Sequence, residues 1–294
     1  MSNKNIKELV ILSGKGGTGK TTVTAAIASL AESIVLADCD VDGADLHLIT
    51  NPKIIEKHKF IEGKVALVEK DKCSGCGVCA SLCRFDSFEI DDEGKYQVIE
   101  SKCEGCGLCV SFCPEKAIQF NDRECGHWMK SETRFGPMIH AKLHPAGENS
   151  GRLVTLVRKE ARKIAQDENL KLILVDGPPG IGCPVISSVT GSTAVLLVTE
   201  PSLSGIHDLE RVASLAKNFK IPVYVIVNRA DINLELTEKI RAISENNNHN
   251  FVGTIPFNKE LVDSQLAGKS AVEFASDEIK TTIERIWEKI WTTM

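Results

Sequence analysis

The chain has 294 residues, of which 43% are hydrophobic and 26% charged, and its formal net charge at pH 7 is −5. This size and composition fit a globular protein with one large domain, or one domain that carries an insertion. The acidic balance provides no basic surface for nucleic acid, and no run of about 18 apolar residues could span a membrane. Since the first five residues include no apolar signal region, we expect a cytoplasmic protein.

The first motif is Ser-Gly-Lys-Gly-Gly-Thr-Gly-Lys-Thr-Thr at residues 13–22, which fits the pattern G-x-x-x-x-G-K-[ST]. An apolar run typical of a buried strand, Leu9 to Leu12, precedes it, and apolar residues at helical spacing follow it. This context favours a phosphate-binding loop over an ordinary Gly-rich turn. Lys20 should contact the β- and γ-phosphates of ATP, and Thr21 should bind Mg²⁺. The predicted nucleotide contacts are Gly14, Lys15, Gly16, Gly17, Thr18, Gly19, Lys20, Thr21 and Thr22.

The loop contains a second lysine, Lys15, and its KGGTGKT sequence resembles the deviant phosphate-binding loop of the MinD/ParA superfamily. That superfamily also includes the nitrogenase iron protein and the Mrp-type iron–sulfur carriers. The resemblance implies that Lys15 crosses a dimer interface to the nucleotide of the partner. ATP would then lie between two facing chains, in a homodimer or a heterodimer with a related ATPase. A solvated loop cation is the alternative for Lys15.

The next apolar segment, Ile34 to Ala37, predicts a second buried strand that ends in acidic residues. Carboxylates at the carboxyl end of a parallel strand lie where such sheets bind ligands. By resemblance, Asp40 matches the switch I aspartate that orients the attacking water, and Asp38 would support Mg²⁺ or its waters. Cys39, between them, should pack as a small hydrophobic residue.

Eleven cysteines would be unusual as disulfides in a reducing compartment, which favours metal ligation or thiol chemistry. Eight of them form two runs of the same spacing, C-x₂-C-x₂-C-x₃-C. This repeat is typical of two-cluster ferredoxins, in which the fourth cysteine of each run ligates the other [4Fe–4S] cluster, whereas zinc sites rarely use it. The predicted ligands are Cys73, Cys76, Cys79 and Cys113 for one cluster, and Cys103, Cys106, Cys109 and Cys83 for the other.

Short strands are predicted on both sides of these runs, at 64–68, 88–90, 97–99 and 117–120. We therefore expect a ferredoxin domain at 60–121, inserted in an ATPase domain made of 1–59 and 122–294. Arg84 replaces the proline that usually follows the fourth cysteine. Its positive charge should make the potentials of the two clusters differ.

Residues 122–150 are the hardest to interpret. Cys125, His127, His140 and His144 could form a metal site, but their spacing fits no ligand pattern and favours buried or hydrogen-bonded structural roles. Segments 131–137 and 148–151 are similar to segments of ferredoxin-containing MinD-like ATPases. The resemblance thus extends over almost the whole chain.

The third predicted strand of the ATPase domain, Leu172 to Val175, ends in Asp-Gly-Pro-Pro-Gly. This segment resembles the Walker B and switch II segment of the superfamily. Asp176 would hold a water of Mg²⁺, and the Gly180 region would respond to the γ-phosphate. Cys183 has the offset of the cysteine that binds a shared cluster in the nitrogenase iron protein. It is either such a site, for a third cluster or cargo metal, or a buried thiol at a helix start.

Further strands at 194–199, 222–227 and 251–255 alternate with helices. The predicted fold is α/β, a mostly parallel sheet covered by helices on both faces. Asn228, Arg229 and Pro256 match superfamily positions around the adenine base. The last helix has an apolar stripe, but its mixed-sign polar face favours packing on the sheet over membrane binding.

These features predict an ATP-hydrolysing iron–sulfur protein, a dimer in which Lys15, Lys20, Asp40 and Asp176 act on ATP. ATP-driven movement would gate electron transfer through two [4Fe–4S] clusters to a redox partner. The alternative is an assembly or carrier ATPase that delivers a cluster or metal cofactor to another protein. The acidic balance argues against a positioning ATPase on membrane or DNA.

Overall fold

The computed structural model describes residues 6–144, 147 and 149–294. The segment expected to lack a signal region, 1–5, lies outside this part, as does Glu148 of the segment 148–151. The chain forms two compact units. The large unit contains Met1–His58, Trp128–Lys142 and Ser150–Met294, and the small unit contains Lys59–His127 and Leu143–Asn149. In the described part, no helix is both long and apolar enough to cross a membrane.

The strands of the described residues are β1 Lys7–Ser13, β2 Ile34–Asp38, β3 Lys53–Val68, β4 Phe88–Ile90, β5 Tyr96–Val98, β6 Ile118–Thr133, β7 Gly136–Leu143, β8 Leu172–Pro179, β9 Ala194–Thr199, β10 Val223–Asn228 and β11 Asn250–Ile255. The α-helices are α1 Lys20–Leu30, α2 Leu46–Thr50, α3 Val78–Leu82, α4 Leu108–Phe112, α5 Ser150–Asp167, α6 Cys183–Val189, α7 Leu203–Asn218, α8 Leu234–Asn246, α9 Lys259–Leu266, α10 Ala271–Phe274 and α11 Asp277–Thr293.

The main sheet has the strand order β11-β10-β9-β1-β8-β2-β7-β6-β3. Strand β1 lies between β8 and β9 and pairs with both in parallel, and β2 pairs in parallel with β8 and β7. The central strands are apolar and buried because helices cover a parallel sheet on both faces. One core cluster joins Leu9 and Ile11 of β1 to Ile27 of α1 and to Ile283 and Ile286 of α11. The apolar stripe of the last helix therefore packs in the core.

Two strands are much longer than expected. The sequence predicts short strands at 64–68 and 117–120, but β3 and β6 each have 16 residues and contribute to both units. Among the first ten residues of β3, Phe60 is buried and Glu62 is half-buried, and the other eight are exposed. Because strands are predicted from apolar runs or alternation, the charged residues at these positions give no strand signal.

The small unit contains a repeated turn and helix. In each half, a 3₁₀ turn (Lys70–Lys72 or Glu100–Lys102) precedes a cysteine run whose short helix is α3 or α4. Strands β4 and β5 form an antiparallel pair, with Phe88 opposite Val98. The small core is built on Ala66, Cys79 and Ile118.

Candidate functional site

The Gly-rich sequence forms the turn between β1 and α1. Gly17 and Gly19 have φ angles of 81° and 94°, in the left-handed region that favours glycine. A Cβ atom at Gly19 would lie 2.3 Å from Nδ2 of Asn228. That amide donates a 2.8 Å hydrogen bond to the carbonyl oxygen of Thr18. Asn228 therefore holds the loop, and the close approach of its side chain requires glycine at position 19.

Lys20, the first residue of α1, lies among carboxylates. Its Nζ atom is 3.1 Å from Oδ1 of Asp176 and 3.3 Å from Oδ2 of Asp40. Asp176 also accepts hydrogen bonds from the hydroxyls of Thr21 (2.8 Å) and Thr24 (2.7 Å). The fold thus brings together four predicted residues from three separate segments, and it adds Thr24, which the sequence analysis did not identify.

Burial and crowded negative charge determine the electrostatics of this site. Burial, followed by the charge of Asp176, holds the pKa of Asp38 well above its usual range. Burial also raises the pKa of Asp40, although Lys20 opposes the shift. For Lys20 itself, burial lowers the pKa, but Asp176, Asp40 and Asp38 more than offset that effect and raise it. Lys20 therefore remains a cation available to phosphate oxygens.

Two buried polar atoms at this site lack a hydrogen-bond partner among the described residues: Oδ2 of Asp38 and Oγ1 of Thr18. Such an atom costs about 1–3 kcal/mol when it stays unsatisfied, so a ligand or water is expected there. Carboxylate and hydroxyl oxygens are the ligands that Mg²⁺ prefers, and a glycine loop at a helix N-terminus suits phosphate. The residues present fit a magnesium nucleotide.

A cavity of about 820 Å³ opens beside this loop. Ligand sites for small molecules typically have volumes of roughly 300–1,000 Å³. Lys20 and Asp40 line the cavity, together with Asn228 and Arg229, two of the three predicted adenine contacts. The third, Pro256, stands between the lining residues Ile255 and Phe257. Other lining residues of the loop are Gly16, Gly17, Gly19, Thr21 and Thr22.

In the small unit, the cysteine runs repeat in backbone conformation as well as in spacing. Each cysteine of the second run lies 30 positions after its counterpart in the first, as Cys103 does after Cys73. Left-handed residues recur with the same offset. The pairs and their φ angles are Gly75 (74°) and Gly105 (62°), Gly77 (77°) and Gly107 (74°), and Asp86 (48°) and Lys116 (50°). The two halves are therefore copies of one ligand-presenting turn.

The first predicted ligand set surrounds one cavity, which Cys73, Cys76, Cys79 and Cys113 all line. The amide of Ala117 donates a 3.3 Å hydrogen bond to Sγ of Cys113. All eleven cysteines of the chain lie in its described part, and all are free thiols. Four thiols around one cavity, with an amide directed at a sulfur, fit an iron–sulfur cluster.

The second predicted set lies beside the same small core. Cys103 and Cys109 pack against the small core, where they join Cys79 and Cys113 of the first set. Cys83 is half-buried and Cys106 is exposed. The guanidinium of Arg123 donates a 2.9 Å hydrogen bond to the carbonyl oxygen of Cys103 and fixes the start of this run.

Comparison with known proteins assigns the family. A model of the CobQ/CobB/MinD/ParA nucleotide binding domain matches residues 9–272. The chain belongs to this family. It is similar to uncharacterized protein MJ0578 of Methanocaldococcus jannaschii, with 29% identity over 290 residues, 97% of this chain and 96% of that protein.

Two further similarities of this CobQ/CobB/MinD/ParA protein are to a solved structure over almost the whole chain and to a ferredoxin over a short stretch. The solved structure of the septum site-determining protein MinD from Pyrococcus horikoshii, a complex with Mg-ADP, covers 97% of this chain and 96% of its own. Its TM-score is 0.57 at 17% identity, so the likeness establishes the α/β P-loop fold. A ferredoxin of Thermococcus litoralis is 59% identical over 32 residues, 11% of this chain and 52% of that one.

The second lysine of the MinD/ParA-type loop is held within its own chain. Nζ of Lys15 lies 2.5 Å from Oε1 of Glu200 and 3.1 Å from Oγ of Ser204. The other carboxylate oxygen of Glu200 is 3.6 Å from Arg229. Lys15 retains a side-chain exposure of 38%.

The end of β8 contacts β1 and the phosphate-binding loop, and the chain then continues to Cys183. A Cβ atom at Gly177 would lie 2.4 Å from Leu12, so glycine is required where β8 passes β1. The amide of Gly180 donates a 3.0 Å hydrogen bond to the carbonyl oxygen of Ser13. Cys183, at the start of α6, is exposed rather than buried, which corrects one of the two interpretations of this thiol.

Proposed function

We propose that this protein binds and hydrolyses ATP as a nucleotide-dependent dimer, and that nucleotide binding gates electron transfer through two [4Fe–4S] clusters to a partner metalloprotein. The observation that carries this proposal is the 30-residue repeat of the small unit, in which both cysteine spacing and left-handed residues recur. A pair of matched ligand turns is what a two-cluster relay needs. Family membership supplies the nucleotide-binding half of the proposal.

The ATP site would act through residues already in contact with one another. Lys20 would exchange its carboxylate partners for the β- and γ-phosphates, which frees Asp40 to orient the attacking water. Thr21 and Asp176, now hydrogen bonded at 2.8 Å, would hold Mg²⁺ and its waters. Because Asp40 and Asp176 both contact Lys20, the phosphate state of the nucleotide would reach both switch segments together.

Residues 60–121 would form a ferredoxin domain, and the cysteine turns within it would hold the clusters. Bound clusters would supply one-electron transfer. The eight thiolates would hold them, and the amide of Ala117 would stabilise negative charge on Cys113. Arg84, beside Cys83, would stabilise the more negative state of one cluster and so separate the two potentials.

The dimer would form when two chains close over ATP, with Lys15 leaving Glu200 for the nucleotide of the partner. The partner chain would be a second copy or a related ATPase. Hydrolysis would reopen the pair and end contact with the electron acceptor.

The second candidate function is delivery of a cluster or metal cofactor to another protein. The exposed thiol of Cys183 favours it, since a transferable site must be accessible. The eight cysteines in ferredoxin turns would retain their clusters. In the carrier function, Cys183 would therefore bind the cluster or metal that is delivered.

Iron and sulfide content tests the proposal. Anaerobically purified protein should contain about eight Fe and eight acid-labile sulfides per chain, the content of two [4Fe–4S] clusters. Cys73→Ser should lose close to half of the iron, and Cys183→Ser, the matched control, should keep all of it. Iron that disappears with Cys183→Ser alone would favour the carrier function, and iron-free protein with bound zinc would contradict both functions.

A further inference from the structure

Glu124 converges in the small unit with two histidines that were first considered alongside Cys125 and His140. The three side chains are Glu124 and His127 of β6 and His144, which follows β7. One ligand atom from each lies within 4.8 Å of the others. Oε1 of Glu124 is 3.3 Å from Nε2 of His127 and 3.5 Å from Nε2 of His144. The two imidazole rings meet edge to face, with centroids 5.2 Å apart and an angle of 86°.

The backbone holds this cluster in place. The amide of His144 donates a 2.9 Å hydrogen bond to the carbonyl oxygen of Cys125, and the amide of Gly147 donates a 2.7 Å bond to that of His144. A Cβ atom at Gly147 would lie 2.7 Å from the Cys125 oxygen, so Gly147 packs directly on β6. This contact fixes His144 beside Glu124.

An ion pair orients the carboxylate of Glu124 toward the two histidines. Nζ of Lys59 lies 2.7 Å from Oε2 of Glu124, which leaves Oε1 directed at the imidazoles. Glu124 and His127 are three residues apart, and on a regular strand they would point to opposite faces. Since the two side chains are in contact, β6 departs from regular strand geometry between them, a type of irregularity that often aims a side chain at a site.

We propose that Glu124, His127 and His144 bind a divalent transition-metal ion, of which Zn²⁺ fits best. Two imidazole nitrogens and one carboxylate oxygen are a ligand set that zinc uses, whereas Mg²⁺ and Ca²⁺ prefer oxygen alone. The site differs in chemistry from the cysteine runs, whose soft thiolates select iron–sulfur clusters.

Three protein ligands leave one position of a tetrahedral zinc ion open. Glu124 and His144 line a cavity of about 560 Å³, together with Asp122, Arg123 and Gly147. A water molecule or a side chain of a partner protein could reach the open position from this cavity. To bind the ion, each Nε2 must carry a lone pair, so the ring proton must lie on Nδ1.

Zinc binding to anaerobically purified, cluster-loaded protein tests the site, because loaded clusters occupy the eight cysteines of the two runs, and binding at the exposed Cys183 would be equal in wild type and in variants of the histidines. Isothermal titration with Zn²⁺ should show one more equivalent for wild type than for the double variant His127→Gln/His144→Gln. Each single variant should weaken binding at least about tenfold, since even loss of an outer-shell partner costs 10–100-fold. His207→Gln, which changes an exposed histidine elsewhere, should bind like wild type.

Two measurements keep the test decisive. His144 is exposed, so His144→Gln should keep the wild-type iron content and melting temperature, which separates lost ligation from lost folding. X-ray absorption at the zinc edge should show nitrogen and oxygen ligands without sulfur. Equal zinc binding by wild type and the double variant, or sulfur in the zinc shell of wild type, would overturn the proposal.

Discussion

Lys15 and Glu200 form an ion pair of 2.5 Å within one chain. Lys15 belongs to the phosphate-binding loop, and Glu200 directly follows β9, which pairs with the strand before that loop. In the proposed dimer, Lys15 contacts the nucleotide of the partner, so this intrachain pair must break on closure. In that proposal, Glu200 would stabilise the open form of the chain.

Removal of this restraint should strengthen ATP-dependent dimerization. Exposed ion pairs contribute about 0.2–1 kcal/mol each, and closure of a homodimer breaks two of them, so Glu200→Gln should tighten the dimer by about 2- to 30-fold. Sedimentation with a non-hydrolysable ATP analogue measures the dimer dissociation constant. Glu238→Gln, which removes another exposed ion pair, should leave the constant unchanged. A weaker dimer in Glu200→Gln would mean that the pair supports closure.

The buried carboxyl group of Asp38 should destabilise the protein when nucleotide and Mg²⁺ are absent. Its pKa is raised on folding, chiefly by burial. Stability from such a group falls as pH rises above the unfolded pKa, because the folded state then retains the proton that the unfolded state releases. Asp38→Asn should therefore raise the melting temperature of nucleotide-free protein at pH 7 and weaken Mg²⁺-dependent ATP binding.

Calorimetry with and without Mg-ATP measures both effects. Asp167→Asn, at the exposed end of α5 and away from the cavity lining, is the matched control and should change neither quantity. A lower melting temperature in nucleotide-free Asp38→Asn would contradict the electrostatic explanation.

Thr24 should support hydrolysis through Asp176. Its hydroxyl is 2.7 Å from Oδ1 of this buried carboxylate, and it is also 3.0 Å from the carbonyl oxygen of Lys20. Thr24→Val keeps the shape of the side chain but removes the donor, which should cost about 1–3 kcal/mol of stability. The ATPase rate should fall as Asp176 loses alignment, while iron content stays constant. An unchanged ATPase rate and melting temperature would exclude this role.

His140 should make the large unit sensitive to acid. It is buried, its Nε2 atom lies 2.8 Å from Oγ of Ser131, and burial lowers its pKa to about 4. The unfolded chain protonates this imidazole near pH 6.5, whereas the folded chain does so only near pH 4. The contribution of neutral His140 to the free energy of unfolding is therefore complete above pH 6.5 and is lost as the pH falls from 6.5 to about 4. The loss should be on the order of 3 kcal/mol.

Chemical denaturation at several pH values measures this loss. His140→Gln should flatten the dependence between pH 6.5 and 4 relative to wild type, because it removes the titrating group. A slope equal to that of wild type would show that other groups cause the acid sensitivity.

The parts of the molecule that could be predicted from the sequence are those encoded by contiguous residues. Lys20 and Thr21 follow from one motif, and the central strands follow from short apolar runs. The contact of Glu200 with Lys15 could not be found this way, because only the pairing of β9 with β1 brings Glu200 to the loop. Thr24 left a weak signal, since it lies one helical turn after Lys20 and so on the same face of α1.

The group of Glu124, His127 and His144 shows the same limit. Sequence position places both histidines near Cys125 and His140, whose environments differ. The Sγ atom of Cys125 instead donates to the carbonyl oxygen of Glu62, and His140 is hydrogen bonded to Ser131. A local departure of β6 from regular strand geometry decides which side chains meet, and residue spacing does not encode it.

The most direct test of the account is an EPR-monitored redox titration of the anaerobically purified protein without nucleotide, with ADP and with a non-hydrolysable ATP analogue. The account predicts two [4Fe–4S] signals of different potential, with at least one potential or the spin coupling between clusters changed by the ATP analogue. Lys20→Met should abolish that change and keep both signals. Cluster signals that are identical in all three nucleotide states would contradict the proposed coupling.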